Sequence, residues 1–244
     1  MTWLAVVIIL IVACLSLVIF APKNKTFYDW RIYPHLEIVS DPMHLQLIRD
    51  DLNSLDAKDF IDYPDPDMWK FNKSSNYEIF PFYMFGEFSR KNLAKCSDTF
   101  KIAHNIPYIR SMAFVKIGPR SVLKVHQSWK DISNETFKCF LGVNVPTNDV
   151  NACGVWVEGD AKKLEDDKWV VFDASRKHSV YNKSTKNSYM LMFDLQRPSG
   201  TLGLSQKSLP DDLKRFITQN VDQRIEEDPE SPEVESPPRL PETE

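Results

Sequence analysis

The sequence is poor in cysteine, with four in 244 residues. Cys14 lies in a hydrophobic N-terminal run, which leaves Cys96, Cys139 and Cys153 in the body of the chain. Three cysteines do not form a disulfide framework, and no C-x-x-C pair suggests structural zinc. Two alternatives stay open for Cys139 and Cys153: they are reduced and buried, as free cysteine usually packs, or they pair in a lumenal domain.

The chain also lacks an excess of basic residues. It carries 30 Lys and Arg against 34 Asp and Glu, for a net charge of -4. Residues 226–244 hold eight of the acids and one base, so the rest is close to neutral. No basic face is expected, and this composition argues against a nucleic-acid-binding protein.

Charged residues are absent from residues 3–21, which are otherwise almost wholly apolar. This length matches the apolar core of a bilayer, so the pattern predicts a transmembrane anchor and a single-pass membrane protein. No Lys or Arg precedes the run, which disfavours a cleaved signal peptide. We therefore expect the lipid bilayer to be one partner of the chain.

The side of the membrane that the body occupies stays undecided. Lys23, Lys25 and Arg31 follow the anchor, and this bias favours a cytosolic body. Four N-x-S/T sequons would permit a lumenal one. They begin at Asn24, Asn72, Asn134 and Asn182.

Two periodicities divide the body. Apolar residues spaced by three and four between Leu45 and Leu55 predict a helix, with Asp41 and Pro42 at its start, and Asn92 to His104 is predicted as a second amphipathic helix. From Tyr108 onward short apolar runs alternate with turns, which predicts a β-sandwich or barrel with helices packed outside. The predicted segments are a short tail at 1–2, the anchor at 3–21, a juxtamembrane, helical and aromatic part at 22–105, the β core at 106–203, a short helix at 204–225 and a disordered acidic, proline-rich tail at 226–244.

Among five histidines, His126 and His178 differ from the others because each closes or follows a strand of the β region. Imidazoles delivered from separate strands suit an open metal site, since rigid elements hold the ligands and leave positions for substrate. Spacing alone leaves a second interpretation, two unrelated polar residues.

Three stretches resemble the aspartyl/asparaginyl β-hydroxylase family of non-haem iron dioxygenases. They are NIPYIRSMAFVKIGPRSVLKVHQS, FLGVNVP and KWVVFDASRKHSVYNKSTKNSYMLMFDLQRP, within a similarity that covers about residues 80–198. The resemblance implies a mainly β protein with flanking helices, built on a double-stranded β-helix or jelly-roll. The ordered matches are Gly118-Pro119, His126, Leu141-Gly142, Phe172-Asp173, Ser175, His178, Asn182, Asp194 and Arg197-Pro198.

The resemblance also implies the site. Fe(II) would be held by His126 and His178, and 2-oxoglutarate would be the cosubstrate. The carboxylate that many related dioxygenases carry two residues after the first histidine is replaced by Ser128, with Asp131 nearby. Asp173, Asp194 and Arg197 are expected to hold the shape of the site.

The cosubstrate residues depart from the family pattern. The arginine expected ten residues after the second histidine is Ser188, and the arginine and histidine before Leu141 are Lys138 and Phe140. Val115 replaces a serine. Lys138 and Lys186 are the candidate replacement cations, Lys186 because alternation along a strand would point it to the same face as Ser188.

Three functions follow. The first is a membrane-anchored dioxygenase that hydroxylates an Asp or Asn side chain of a protein, or a lipid acyl chain, near a membrane. The second is a catalytically silent binding module on the same fold, suggested by the changed cosubstrate residues. The third is an anchored adaptor that recruits partners through its acidic tail.

Overall fold

A computed structural model describes residues 25–63, 77–128, 133, 135–198, 209 and 211–221. Twelve strands and four α-helices lie in these residues, with three 3-10 helices at Trp30–Ile32, Pro34–Ser40 and Ala57–Asp59. In chain order the elements are β1 (Phe27–Tyr28), α1 (Pro42–Asn53), β2 (Ile61–Asp62), β3 (Tyr77–Met84), β4 (Glu87–Phe88), α2 (Arg90–Lys95), α3 (Ser97–Ala103), β5 (Ile109–Ile117), β6 (Ser121–Val122), β7 (Thr136–Asn144), β8 (Cys153–Val157), β9 (Asp160–Lys163), β10 (Trp169–Phe172), β11 (His178–Asn182), β12 (Ser188–Gln196) and α4 (Asp211–Asn220).

The strands form two antiparallel sheets. The larger has the order β1-β10-β7-β12-β5-β3-β2, with β4 paired to β3, and the smaller has the order β6-β11-β8-β9. The larger sheet is buried on both faces: along β12, Leu191 and Phe193 pack toward the helices, whereas Met190 and Met192 pack toward the smaller sheet. Two-sided burial explains the unbroken apolar run of this strand. The mainly β, jelly-roll architecture with flanking helices is confirmed.

Two local features of the sequence, a helix cap and a glycine, have the structural roles that their chemistry requires. The Asp41 side chain accepts hydrogen bonds from the backbone N–H groups of Met43 and His44, and so caps α1. Gly142 lies where a Cβ would overlap the carbonyl oxygen of Glu165, so the Leu-Gly pair of β7 needs its glycine for this close approach. One predicted helix is divided: α2 and α3 are separate, with Cys96 between them.

The three described cysteines are free and buried. Cys139 packs in the cluster on the helical side of the larger sheet, whereas Cys153 packs in the cluster between the sheets. The two thiols do not pair, because the sheet lies between them. Burial raises the pKa of the Cys96 thiol to about 12, so it carries its proton at neutral pH.

The prediction of a single-pass membrane protein is corrected here. Within the described residues, no helix has the length and apolarity needed to cross a membrane. The predicted anchor at 3–21 lies outside those residues, as do the tail at 226–244 and three of the four sequons.

The fourth sequon, at Asn182, is not a glycan acceptor in this fold. Its side chain is fully buried, and its amide donates to the carbonyl oxygens of Ile117, Gly118 and Lys186 at 2.7–3.1 Å. Every donor position of this amide is therefore used to close the turn that follows β11.

Candidate metal centre

His126 and His178 lie side by side on two neighbouring segments. Their backbones form an antiparallel bridge, with N–H to carbonyl distances of 3.0 and 2.9 Å, and their ring centroids are 4.3 Å apart. Both side chains are buried between the two sheets, with 7% and 2% exposure. The predicted pair is therefore brought together by strand pairing.

Backbone carbonyls select the tautomer of each ring. His126 Nδ1 lies 2.8 Å from the carbonyl oxygen of Lys124, and His178 Nδ1 lies 2.8 Å from that of Arg176. A carbonyl oxygen only accepts hydrogen bonds, so each Nδ1 carries the proton in the neutral ring. Each Nε2 then keeps its lone pair, as in metal-binding histidines whose other nitrogen is held by an outer partner.

His178 is held neutral by its surroundings. Burial, followed by the neighbouring His126, lowers the pKa of His178 from 6.5 to about 3. The imidazole is thus uncharged at neutral pH and needs to lose no proton before it binds a metal.

A clamped turn presents His178. The Asp173 carboxylate accepts a hydrogen bond from the backbone N–H of Ser175 at 3.0 Å and one from Arg197 at 2.6 Å. Arg176 Nε lies 3.5 Å from the same carboxylate, and its Nη1 donates to Glu158 at 2.7 Å. This network fixes the carbonyl of Arg176 that orients the His178 ring.

The same turn is joined to the segment of His126. The Ser128 N–H donates to the carbonyl oxygen of Ala174 at 3.0 Å, and the Gln127 amide donates to that of Ser175 at 2.7 Å. Sequence reasoning missed Gln127, because nothing in the spacing marks its contact with a turn 48 residues away. Both histidines therefore belong to one rigid unit.

Within the part of the chain that the structure describes, the pair has no third protein ligand. Among the described residues, no group of three or more His, Cys, Asp and Glu side chains could hold a metal ion. Ser128 occupies the position of the usual carboxylate, and its Oγ lies 3.3 Å from His178 Nε2. Asp131 lies outside the described residues.

A narrow cavity opens onto the histidines. Its volume of about 10 Å³ accommodates roughly one water molecule. In this conformation it does not admit a five-carbon dicarboxylate. Its walls are Tyr63, Tyr77, Leu123, His126, Ser128, Lys138, Phe140, His178 and Val180.

Lys138 reaches this cavity but is neutralised by a buried acid. Its Nζ lies 2.8 Å from Asp194 Oδ1, and the two side chains are 5% and 11% exposed. Ser111 Oγ also donates to the Asp194 carboxylate. The Lys138 ammonium therefore already has a buried counterion.

Ser188 and Lys186 are separated by the structure. Ser188 is fully buried at the first position of β12, and its Oγ has no hydrogen-bond partner among the described residues. Lys186 is exposed in the preceding turn. The alternation argument for Lys186 is wrong, because the strand begins only at Ser188, and Lys186 does not line the cavity.

The family model for aspartyl/asparaginyl β-hydroxylases matches residues 43–198. The chain belongs to this family. The match includes both histidines, the clamped turn and the Lys138–Asp194 pair, and it identifies the fold as that of a dioxygenase-type hydroxylase. Membership of this β-hydroxylase family supports a dioxygenase enzyme.

The similarities to solved structures are distant. A 2OG-Fe(II) oxygenase family oxidoreductase from Burkholderia pseudomallei is 11% identical over 67% of this chain and 82% of its own, with a TM-score of 0.43. A Pseudomonas putida prolyl-4-hydroxylase is 13% identical over 63% and 88%, with a TM-score of 0.38. The cupin domain of Schizosaccharomyces pombe Cnp3 is 8% identical over 50% and 61%, with a TM-score of 0.33. No curated protein matches the sequence.

Proposed function

We propose that this member of the β-hydroxylase family is an iron(II) dioxygenase that hydroxylates a protein side chain, with His126 and His178 as the iron ligands. The observation that carries the proposal is the pair of adjacent imidazoles whose Nδ1 atoms are both held by backbone carbonyls. Two adjacent imidazoles whose Nδ1 atoms are held in this way suit iron(II). Bound iron would supply the oxygen chemistry, and the protein supplies ligand geometry and a dry interior.

The residues present fit iron better than they fit 2-oxoglutarate. Among the described residues that line the cavity, Lys138 is the cation, and it is paired with Asp194. Binding of the dicarboxylate would require Lys138 to exchange this partner and the wall around Tyr63 and Phe140 to open. Lys138 is the residue that would bind the carboxylate in any turnover that uses 2-oxoglutarate.

A second candidate function is a metal-loaded binding module without turnover. The specific observation in its favour is the closed cavity together with the Lys138–Asp194 pair. Such a module would retain iron on the two histidines and would bind 2-oxoglutarate weakly or not at all.

Succinate formation separates the two candidates. The purified full chain, loaded with iron(II) under controlled oxygen, is incubated with 2-oxoglutarate, and succinate is measured with and without candidate protein substrates. The dioxygenase predicts succinate production that His126→Ala and His178→Ala abolish. Retained iron with no succinate, and no heat of 2-oxoglutarate binding by calorimetry, would favour the binding module.

A further inference from the structure

The two segments that carry the histidines have an unusual charge distribution. Residues 118–128 and 174–188 contain two and four basic residues, and neither contains an acid, although acids outnumber bases in the chain. Composition predicted no basic face, because an average over the whole chain conceals this local excess. The exposed members are Arg120, Lys124, Lys177, Lys183 and Lys186.

Strand pairing brings together the two segments that carry these residues. β6 is the end strand of that sheet and pairs with β11 through Ser121 and Asn182. The Arg120 N–H donates to the carbonyl oxygen of Ser184 at 3.0 Å, which brings Arg120 beside the turn of Lys183 and Lys186. Lys177 directly precedes His178 at the other end. We call Arg120, Lys177, Lys183 and Lys186 the basic rim.

The rim differs in ion pairing from three exposed cations on the helical side of the molecule. Arg31, Lys58 and Lys101 each pair with a neighbouring aspartate at 3.1–3.5 Å. None of the ion pairs within the described part of the chain involves a rim residue. The rim cations therefore have no ion-paired counterion among the described residues, and exposed positive charge of this kind attracts an acidic partner.

Apolar side chains accompany the rim in residues 118–128. Val122 and Val125 are 50% and 47% exposed and flank Lys124 and Leu123. Lysines alone would be explained as protection of an edge strand against aggregation. Two exposed valines work against such protection, whereas a mixture of apolar and positive side chains suits recognition of a peptide that carries both apolar and acidic residues.

We propose that the basic rim and the valines beside it bind an acidic peptide segment and deliver it to the histidine pair. This inference rests on the proposed function, because it names the class of protein substrate: a residue flanked by glutamates or aspartates. The rim continues into the metal centre through Lys177 and through Val125, which adjoin His178 and His126.

Peptide binding tests the proposal without catalysis. A short fluorescein-labelled peptide with a central Asp between Glu and Val residues is titrated with the full chain in the absence of iron and 2-oxoglutarate, and polarisation is measured. A peptide with Gln in place of each Glu is the matched ligand. We expect the acidic peptide to bind at least about tenfold more tightly, and added salt to reduce the difference.

The decisive protein variant combines Arg120→Gln, Lys177→Gln, Lys183→Gln and Lys186→Gln. Its matched control combines Arg31→Gln, Lys58→Gln, Lys91→Gln and Lys101→Gln, which neutralises as many exposed positions on the helical side. We expect about tenfold weaker binding for the rim variant and less than about twofold for the control, since each exposed charge contributes modestly. Matching thermal unfolding curves will verify that both variants fold.

Three results would overturn the assignment. The first is equal binding of the acidic and neutral peptides, or equal weakening by both variants. The second is that a single-stranded oligonucleotide binds to the same rim more tightly than the acidic peptide does. The third is peptide binding that appears only after deletion of residues 226–244, which would assign the rim to the chain's own acidic segment. Because iron and cosubstrate are absent, each result is separable from a failure of turnover.

Discussion

The interior has two ends, one at the histidine pair and one at Ser188 and Lys138. They differ in how their polar groups are hydrogen-bonded. At the metal end, each imidazole is oriented by a backbone carbonyl, and the turn before His178 is held by Asp173, Arg176 and Arg197. At the cosubstrate end, Ser188 Oγ has no hydrogen-bond partner among the described residues, and Lys138 is paired with Asp194.

This difference shows which part of such a site is more robust. Metal geometry rests on strand pairing and backbone carbonyls, which survive most substitutions. Recognition of a dicarboxylate rests on a few side chains, each of which a single substitution removes while the fold persists. The chain can therefore keep a metal centre after the cosubstrate pocket has changed.

The largest effect is expected at the metal end. His126→Ala and His178→Ala should each reduce iron affinity by about two orders of magnitude or more, because two imidazoles are the protein ligands that we assign. Iron content after gel filtration measures this directly. His35→Ala, at an exposed position, is the matched control. Full iron content in both site variants would show that His126 and His178 do not bind the iron.

The buried ion pair should give the next largest effect. Lys138→Met leaves the Asp194 carboxylate without its cation, which should cost about 3–5 kcal/mol in the free energy of unfolding. Combining Lys138→Met with Asp194→Leu should recover most of the loss, because no buried charge is then left unpaired. Urea unfolding of both single variants and the double variant provides the cycle. A loss below about 1 kcal/mol for Lys138→Met would mean that Asp194 is not its counterion.

Lowering the pH should reduce the free energy of unfolding of the metal-free protein, because unfolding exposes His178 to protonation. The pKa of His178 is about 3 in the folded protein and 6.5 without burial, so unfolding takes up a proton between these values. The free energy of unfolding should therefore fall as pH is lowered through this window, by up to about 1.4 kcal/mol per pH unit from this group. The difference between the parent chain and His178→Asn in urea unfolding isolates the effect, and His35→Asn is the control. Parallel pH profiles for the parent and His178→Asn would contradict a buried neutral imidazole.

The smallest effect is expected at Ser188. Ser188→Ala removes a buried hydroxyl that has no hydrogen-bond partner in the described part of the chain, so stability should stay the same or rise by about 1 kcal/mol. Ser179→Ala is the matched comparison, because Ser179 Oγ donates to the Leu123 carbonyl oxygen at 2.6 Å and its loss should destabilise by about 1 kcal/mol. Equal losses at both positions would show that Ser188 has an unrecognised partner.

Local pattern predicted much of the fold. The run SYMLMFDLQ became β12, and the capping signal at Asp41 became the start of α1. Such features depend on neighbours in the chain, where side-chain alternation and hydrogen-bond capacity decide the backbone. Pattern failed at Asn92–His104, where one amphipathic run folds as two helices, and at Lys186, which lies outside the strand that its spacing suggested.

By itself the sequence determined the mainly β class, because that is a matter of residue type and local period. The two candidate metal ligands and the departures at the cosubstrate positions were singled out by the resemblance to the family. Only the tertiary structure decided that His126 and His178 adjoin, that carbonyls select their tautomers, that Asp194 neutralises Lys138, and that two segments rich in basic residues pair with each other. These are contacts between segments distant in sequence, and they arise from strand register, which no local pattern specifies.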